Sequence, residues 1–150
     1  MGRISVIQRL TKTLVDIMFI IGIPCCIAVP FVMPFLTDTF GYGSETVLPF
    51  SVVLILAGIC ALYILMQLKL MYRSLIKGNP FITKNIICLK KCAIASLVVS
   101  ATFFVKIFFW FSITTFAMII AFALLGLFCL TLKDLFKQAV AFKEENEWTI

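Results

Sequence analysis

Four blocks of apolar residues, each long enough to cross a lipid bilayer, constrain the fold of this chain more than any other feature. The hydrophobic fraction is 63%, against roughly 45–50% for an ordinary soluble domain. A soluble domain of this size buries only about 70% of the surface that its unfolded chain exposes, so most of this apolar surface has to face lipid. The sequence predicts an all-α polytopic membrane protein, a single domain over residues 1–150 in which four transmembrane helices form a small bundle. The predicted spans cover about residues 14–36, 49–69, 93–112 and 114–132.

Positively charged residues predict how the chain is oriented. Three Lys or Arg precede the first span, six lie between Lys69 and Lys91, and three lie in the segment after the fourth span, which together make twelve of the thirteen in the chain. Cytoplasmic connections carry the excess of Lys and Arg. We therefore expect a multi-pass protein of the cell membrane with both termini and the central connection in the cytoplasm. The net charge of +6 flanks the spans and forms no soluble basic face, so we expect no direct binding of nucleic acid.

Two ionisable residues lie within the predicted spans, where charges are functional candidates by default. Asp16 lies about one turn inside the first span, where Lys12, Lys90 or Lys91 can pair with it. Lys106 lies about 20 Å along the third helix at 1.5 Å per residue, near the outer surface. There it can extend toward water, and the acids of the outer loop, Asp38 and Glu45, can meet it.

The residue types needed for catalysis or metal binding are sparse. The chain has no His and six Cys, none of them in a C-x-x-C pair, and the shared helix face of Cys88 and Cys92 is explained by burial as small apolar side chains. Nucleophile-elbow, zinc-protease and phosphate-loop patterns do not occur. The sequence predicts a protein that is not an enzyme and that uses no cofactor and no metal.

Local signals predict the connections and the ends of the spans. Gly22, Pro24, Pro30 and Pro34 favour a kink or partial unwinding in the outer half of the first span. Residues 70–92 are expected to form a basic loop with a Gly-Asn-Pro turn. Within this stretch Thr83 is positioned to cap a helix that runs through Lys84, Asn85, Leu89 and Lys90 into the third span.

Residues 133–150 are predicted to form an amphipathic cytoplasmic helix that follows the fourth span. The apolar residues of this tail recur with helical spacing, and its Lys, Asp and Glu residues take the opposite face. The apolar stripe consists of Leu135, Phe136, Ala139, Val140 and Phe142.

Two segments together resemble a known family. The loop motif, residues 78–89, contains Gly78-Asn79-Pro80-Phe81, then Asn85 and Leu89 at four-residue intervals. The tail motif, residues 135–150, begins L-F-K-Q-A-V and ends K-E-E-N-E-W-T-I. This pairing is similar to a family of small four-span bacterial membrane proteins of unknown function. Members of that family carry G-x-P-F-x-x-x-N-x-x-x-L between spans two and three and end in a stretch like K-x-E-x-D-L-T-I. Here Glu147-Trp148 replaces the usual Asp-Leu and Phe142 replaces a common Leu.

The resemblance implies a partner. Members of the family are often encoded beside a very small helix-turn-helix regulator of the Xre type, which implies a membrane protein that captures or releases a transcription regulator at the inner face. The candidate interaction residues carried over from the two motifs are Gly78, Asn79, Pro80, Phe81, Asn85, Leu89, Phe136, Ala139, Glu144, Glu145, Asn146, Glu147, Trp148, Thr149 and Ile150. On the four-span layout both motifs lie on the same side, where they can converge beneath the bundle. There the tail either docks a basic DNA-binding surface or packs on the loop and caps the bundle.

Two other functions stay open on the sequence. One is a transport accessory or small permeation subunit, for which a polar stripe along one span would be the signature. The other is a structural or envelope-stress-sensing protein that responds to the lipid through its proline-rich first span. Self-association into a homo-oligomer is compatible with each of these functions, and the lipid bilayer is a partner in all of them.

Overall fold

Four long α-helices make up the fold. The structure, a computed structural model, describes residues 5–148. Helix α1 spans Val6–Thr39, α2 spans Val47–Ile76, α3 spans Thr83–Phe109 and α4 spans Ile113–Trp148, and a short 3₁₀ turn at Ser44–Thr46 precedes α2. Each helix is long and apolar enough to cross a membrane, and the described residues contain no strand. The predicted all-α class and the four membrane-spanning helices are confirmed.

The helices run further than the predicted spans. Helix α2 continues to Ile76, so the expected loop is wrong for residues 70–76, and the connection is only residues 77–82. Helix α3 begins at Thr83, which confirms the helix expected to start there and to continue into the third span. Most of the basic residues assigned to that loop lie on helix ends, because Lys and Arg are good helix formers and no Gly or Pro interrupts them. Thr83 is the first helical residue of α3 and the N-cap is Ile82, which has no side chain able to accept a capping hydrogen bond, so the predicted cap is also wrong.

The tail is part of α4, which runs from Ile113 to Trp148 without interruption. An amphipathic helix was expected to follow the fourth span at residues 133–150, and residues 133–148 are helical. The junction carries no helix-breaking residue, so the helical hydrogen bonds continue out of the apolar segment. Phe136, Ala139 and Val140 of the predicted stripe are half-buried, whereas Leu135 and Phe142 are exposed.

The prolines do not unwind α1. The helix includes Pro24, Pro30 and Pro34 and continues to Thr39, so the predicted partial unwinding is wrong. A proline removes one donor, and transmembrane helices keep the remaining ladder because leaving several backbone groups unpaired in lipid would cost more.

Helix α3 forms the core of the bundle. Ten of its residues are buried, against three in each of α1, α2 and α4. Helix α3 packs on both α2 and α4, and α1 packs on α2. No Cα atom of α1 lies within 8 Å of α4 among the described residues, so the bundle is open between its first and last helices.

Small residues allow α3 and α4 to approach closely. Ala93 and Ser96 have no exposed surface, and a Cβ atom at Gly126 would lie 2.9 Å from the Cγ and Cδ2 atoms of Leu97. The Ser100 hydroxyl donates a hydrogen bond of 3.0 Å to the Ile119 carbonyl across the same interface. Helices in lipid associate through this kind of small-residue packing and interhelical hydrogen bonding.

The bundle has two ends, which we call the loop end and the turn end. The loop end carries residues 77–82, the lysine-rich helix ends and the last turns of α4. The turn end carries residues 40–46 and the turn at residues 110–112 between α3 and α4.

Candidate functional site at the junction of the two motifs

The connection between α2 and α3 turns on Gly78. Its φ of +84° lies in the left-handed region, and its N–H donates to the Leu75 carbonyl at 3.0 Å as α2 ends. Glycine reaches this conformation without the steric cost that a Cβ atom adds. Pro80 follows two residues later and cannot continue the helix. The sequence order Gly-Asn-Pro therefore produces the short, defined connection that presents Phe81.

Replacing Gly78 with alanine should lower the free energy of unfolding by about 1 kcal/mol, because the left-handed backbone costs an L-residue about 1–2 kcal/mol. The matched control is Gly43→Ala. Gly43 has a φ of −63°, and no atom lies within 4 Å of the position of its Cβ. The free energy of unfolding of both variants is measured by circular dichroism during titration with SDS in a mild detergent. Equal stability of the two variants would contradict the role given to Gly78.

Asn85 ties the first turns of α3 to this connection. Its Nδ2 atom donates a hydrogen bond of 2.6 Å to the Pro80 carbonyl, and the residue is 1% exposed. Its Oδ1 atom is shielded and accepts no hydrogen bond within the described residues. Leu89, one turn further along α3, is 3% exposed. The spacing of Asn85 and Leu89 in the loop motif therefore places both side chains on the buried face of α3.

The tail motif contacts the loop motif at two points. The rings of Phe81 and Phe136 pack edge to face with centroids 5.2 Å apart. Two helical turns beyond Phe136, the Lys143 ammonium donates a hydrogen bond of 3.2 Å to Asn79 Oδ1. The expected convergence of the motifs is therefore observed, and it joins α4 to the α2–α3 connection.

A cavity of about 200 Å³ lies inside this junction. Its walls come from α2, from Pro80 and Asn85, and from Phe136 of α4. The α2 side chains that line it are Leu68, Met71, Tyr72 and Leu75. The shielded Asn85 amide is thus part of a mainly apolar wall, where an unpaired acceptor is costly.

The last turns of α4 project beyond the junction. Glu144 and Glu147 are exposed, Trp148 is 90% exposed, and Glu145 and Asn146 lie between them on the helix surface. Ala139 is half-buried nearer the bundle. The remaining candidates, Thr149 and Ile150, lie outside the described residues. The structure thus brings Gly78 to Leu89 together with Phe136, and leaves the acidic turns exposed.

Asp16 pairs with a residue that the sequence did not indicate. Its Oδ1 atom lies 2.8 Å from the Nζ atom of Lys69 on α2, and that ammonium lies 5.5 Å from the ring centroid of Phe19. The expected partners Lys12, Lys90 and Lys91 are wrong. Antiparallel packing places the start of α1 beside the end of α2, so Lys69 faces Asp16 from the neighbouring helix.

Lys106 also has different neighbours from those expected. Its ammonium donates a hydrogen bond of 3.3 Å to Thr115 Oγ1 and lies 4.5 Å from the ring centroid of Phe50. Neither Asp38 nor Glu45 pairs with it among the described residues. The ring of Phe50 takes the place that a carboxylate was expected to fill.

Lys143 is the site residue that the sequence analysis missed. Its charge predicts a place on the polar face of the tail, but its position seven residues after Phe136 places both on one helix face. The six cysteines are free thiols, and Cys88 and Cys92 are buried. No group of three metal-ligating side chains occurs in the part of the chain that the structure describes.

Four long apolar helices, packed through small residues with lipid-facing side chains outside, define a multi-pass integral membrane protein. A family model described as "Protein of unknown function (DUF2975)" matches residues 11–150, which include both motifs. The chain belongs to this family. Neither a curated protein nor a solved structure shows a significant match.

Proposed function

We propose that this protein is a non-enzymatic regulatory binding module of the bacterial cell membrane. It holds a small, basic helix-turn-helix transcription regulator against the loop end of its bundle. The observation that supports this most is the attachment of α4 to the loop motif through Phe81 and Phe136 and through Asn79 and Lys143. This attachment makes the last turns of α4 a continuous, oriented projection that a soluble partner can bind.

The charge at the tip of α4, unlike that of the rest of the loop end, supports a basic partner. The loop end is rich in Lys and Arg, and Glu144, Glu145 and Glu147 form its acidic cluster at the tip of α4. Carboxylates on one short segment attract a DNA-binding surface electrostatically and compete with phosphate for its cationic side chains. Capture at the membrane and binding to DNA would then exclude each other.

The polar side chains in the middle of the bundle favour this function over permeation. The Ser96 hydroxyl donates to the Cys92 carbonyl at 2.9 Å, and the Ser100 hydroxyl donates to the Ile119 carbonyl at 3.0 Å. The first bond lies within α3 and the second joins α3 to α4, so both hydroxyls are satisfied by backbone carbonyls inside the packed bundle.

Reversing the charge of two exposed acids tests the binding surface. The variant Glu144→Lys/Glu147→Lys should lose at least tenfold in affinity for a purified small Xre-type regulator from the same genome, measured by biolayer interferometry on the detergent-solubilised protein. The control, Lys133→Glu/Lys137→Glu, changes the same number of charges in the opposite sense two or three turns nearer the bundle, and it should bind the regulator at least as tightly as the unmodified chain. Substitution is preferable to deletion of the tail, because deletion also removes Phe136. Unchanged binding by the first variant would exclude the acidic turns as the docking surface.

The orientation of the chain is the second requirement of the proposal. Green fluorescent protein fused after Ile150 should fluoresce, and alkaline phosphatase inserted at Gly43 should be active, because the lysine-rich end of the bundle is expected in the cytoplasm. The opposite result from the pair of reporters would place the loop end outside the cell. A cytoplasmic transcription regulator could then not reach the loop end.

A further inference from the structure

At the turn end of the bundle, Lys106 lies at the junction of two hollows. One is a cavity of about 230 Å³ whose lining includes Tyr42 and Ser112. The other is a groove of about 490 Å³ between α2 and α3, lined almost entirely by apolar side chains such as Val53 and Val105. Lys106, Phe50 and Trp110 line both hollows, so they separate a partly polar compartment from an apolar one.

The charge of Lys106 is only partly compensated within the chain. An ammonium group has three donors, and Thr115 accepts one hydrogen bond. The faces of Phe50 at 4.5 Å and of Phe103 at 6.0 Å add cation–π attraction. No carboxylate pairs with this ammonium in residues 5–148. A positive charge in a membrane-spanning helix favours an anionic partner, because hydrocarbon solvates it poorly.

The groove beside Lys106 opens toward the lipid. Leu48, Val52, Val105 and Phe109 line it and are more than half exposed. In a bilayer these surfaces contact acyl chains. The smaller cavity beside Lys106 is lined in part by residues that carry hydroxyl groups, among them Tyr42 and Ser112. A ligand that fits both hollows therefore has an apolar chain and an anionic head.

We propose that this junction is a binding site for an anionic phospholipid, with an acyl chain along the α2–α3 groove and the phosphate at the Lys106 ammonium. A charge-assisted hydrogen bond from Lys106 to a phosphate oxygen supplies the missing counter-charge. A zwitterionic lipid carries its own ammonium, which competes with Lys106 for the same phosphate. The site therefore selects lipids by net charge.

Lipid binding by the full-length protein in detergent micelles tests the proposal. Native mass spectrometry compares phosphatidylglycerol with phosphatidylcholine of the same acyl chains. The unmodified chain should bind phosphatidylglycerol more tightly, and Lys106→Gln should lose about tenfold of that affinity, as expected for loss of one charge-assisted hydrogen bond. Lys106→Arg should keep the preference. Lys84→Gln, an exposed lysine at the other end of the bundle, is the matched control and should not change it.

A second variant tests the groove independently of the charge. Val105→Trp fills the groove while Lys106 is retained, and it should weaken the binding of both lipids. If Lys106→Gln fails to fold, as judged by its helix content, Val105→Trp tests the proposal instead, and unchanged lipid binding by that variant overturns it. Equal binding of phosphatidylglycerol by Lys106→Gln and the unmodified chain overturns the proposal. It is also overturned if oleate binds at Lys106 and phosphatidylglycerol does not displace it, because the ligand would then be a free carboxylate.

Discussion

Replacing Gly126 with leucine should lower the free energy of unfolding by about 3 kcal/mol, the upper part of the range for overpacking a well-packed interface. Gly126 is buried where α4 meets α3, and even a single Cβ atom there would lie 2.9 Å from the Leu97 side chain and 3.4 Å from the Ala93 carbonyl. The first neighbour can rotate away, but the second is backbone of the central helix. The remaining atoms of a leucine therefore force α3 and α4 apart.

The Gly126 prediction is measured by SDS titration in mild detergent, with helix content and tryptophan fluorescence as readouts. Ala121→Leu is the matched control, because Ala121 is exposed on the same helix and its larger side chain would face lipid. Adding Leu97→Ala to Gly126→Leu should restore part of the loss, since the two sites share one contact and their effects cannot be additive. A Gly126→Leu variant as stable as Ala121→Leu would show that α3 and α4 do not pack at this position.

Replacing Leu89 with alanine should cost about 2–5 kcal/mol, as for other buried leucines that leave a cavity. Leu89 is 3% exposed on α3, one turn beyond Asn85, so the lost side chain leaves a space beneath the motif junction. The contact between Phe81 and Phe136 should also weaken, because the same end of α3 supports the α2–α3 connection.

Ile87→Ala is the control for the Leu89 prediction. Ile87 is two residues away on the same helix, and its side chain is 49% exposed, so its loss should be close to neutral in detergent. Thermal unfolding of both variants, together with regulator binding, separates a structural role of the loop motif from a direct role in docking. A larger loss of stability at Ile87 than at Leu89 would contradict the burial of this face.

The junction of the motifs shows what local patterns can predict. The four-residue spacing of Asn85 and Leu89 is compatible with one helix face, and the structure buries both, although this spacing enters the sequence prediction only as part of the family motif. The positive φ at Gly78 follows from a Gly-Asn-Pro order that ends a helix. The contact of Phe136 with Phe81 was expected only as a meeting of segments, because which ring touches which depends on how far α4 extends past α3.

The two charges within the helices mark the limit of such patterns. For Asp16 the sequence offered Lys12 on the same helix and two lysines elsewhere, and the structure pairs it with Lys69. For Lys106 the sequence offered acids, and the structure supplies Thr115 and the ring of Phe50. Each partner belongs to another helix, so its choice depends on rotation and axial offset between helices.

The sequence by itself determined the number of helices, the position of the apolar segment within each helix and the separation of basic from apolar segments. Backbone hydrogen bonding and the transfer of side chains into lipid depend on each residue and its neighbours in the sequence, so both can be read from composition and spacing. Only the tertiary structure decided that α3 is the core, that α1 and α4 do not close the bundle, and that Lys106 lies between two hollows. These features depend on how the surfaces of two helices fit together, as Gly126 fits against Ala93 and Leu97, and that fit cannot be derived from one helix alone.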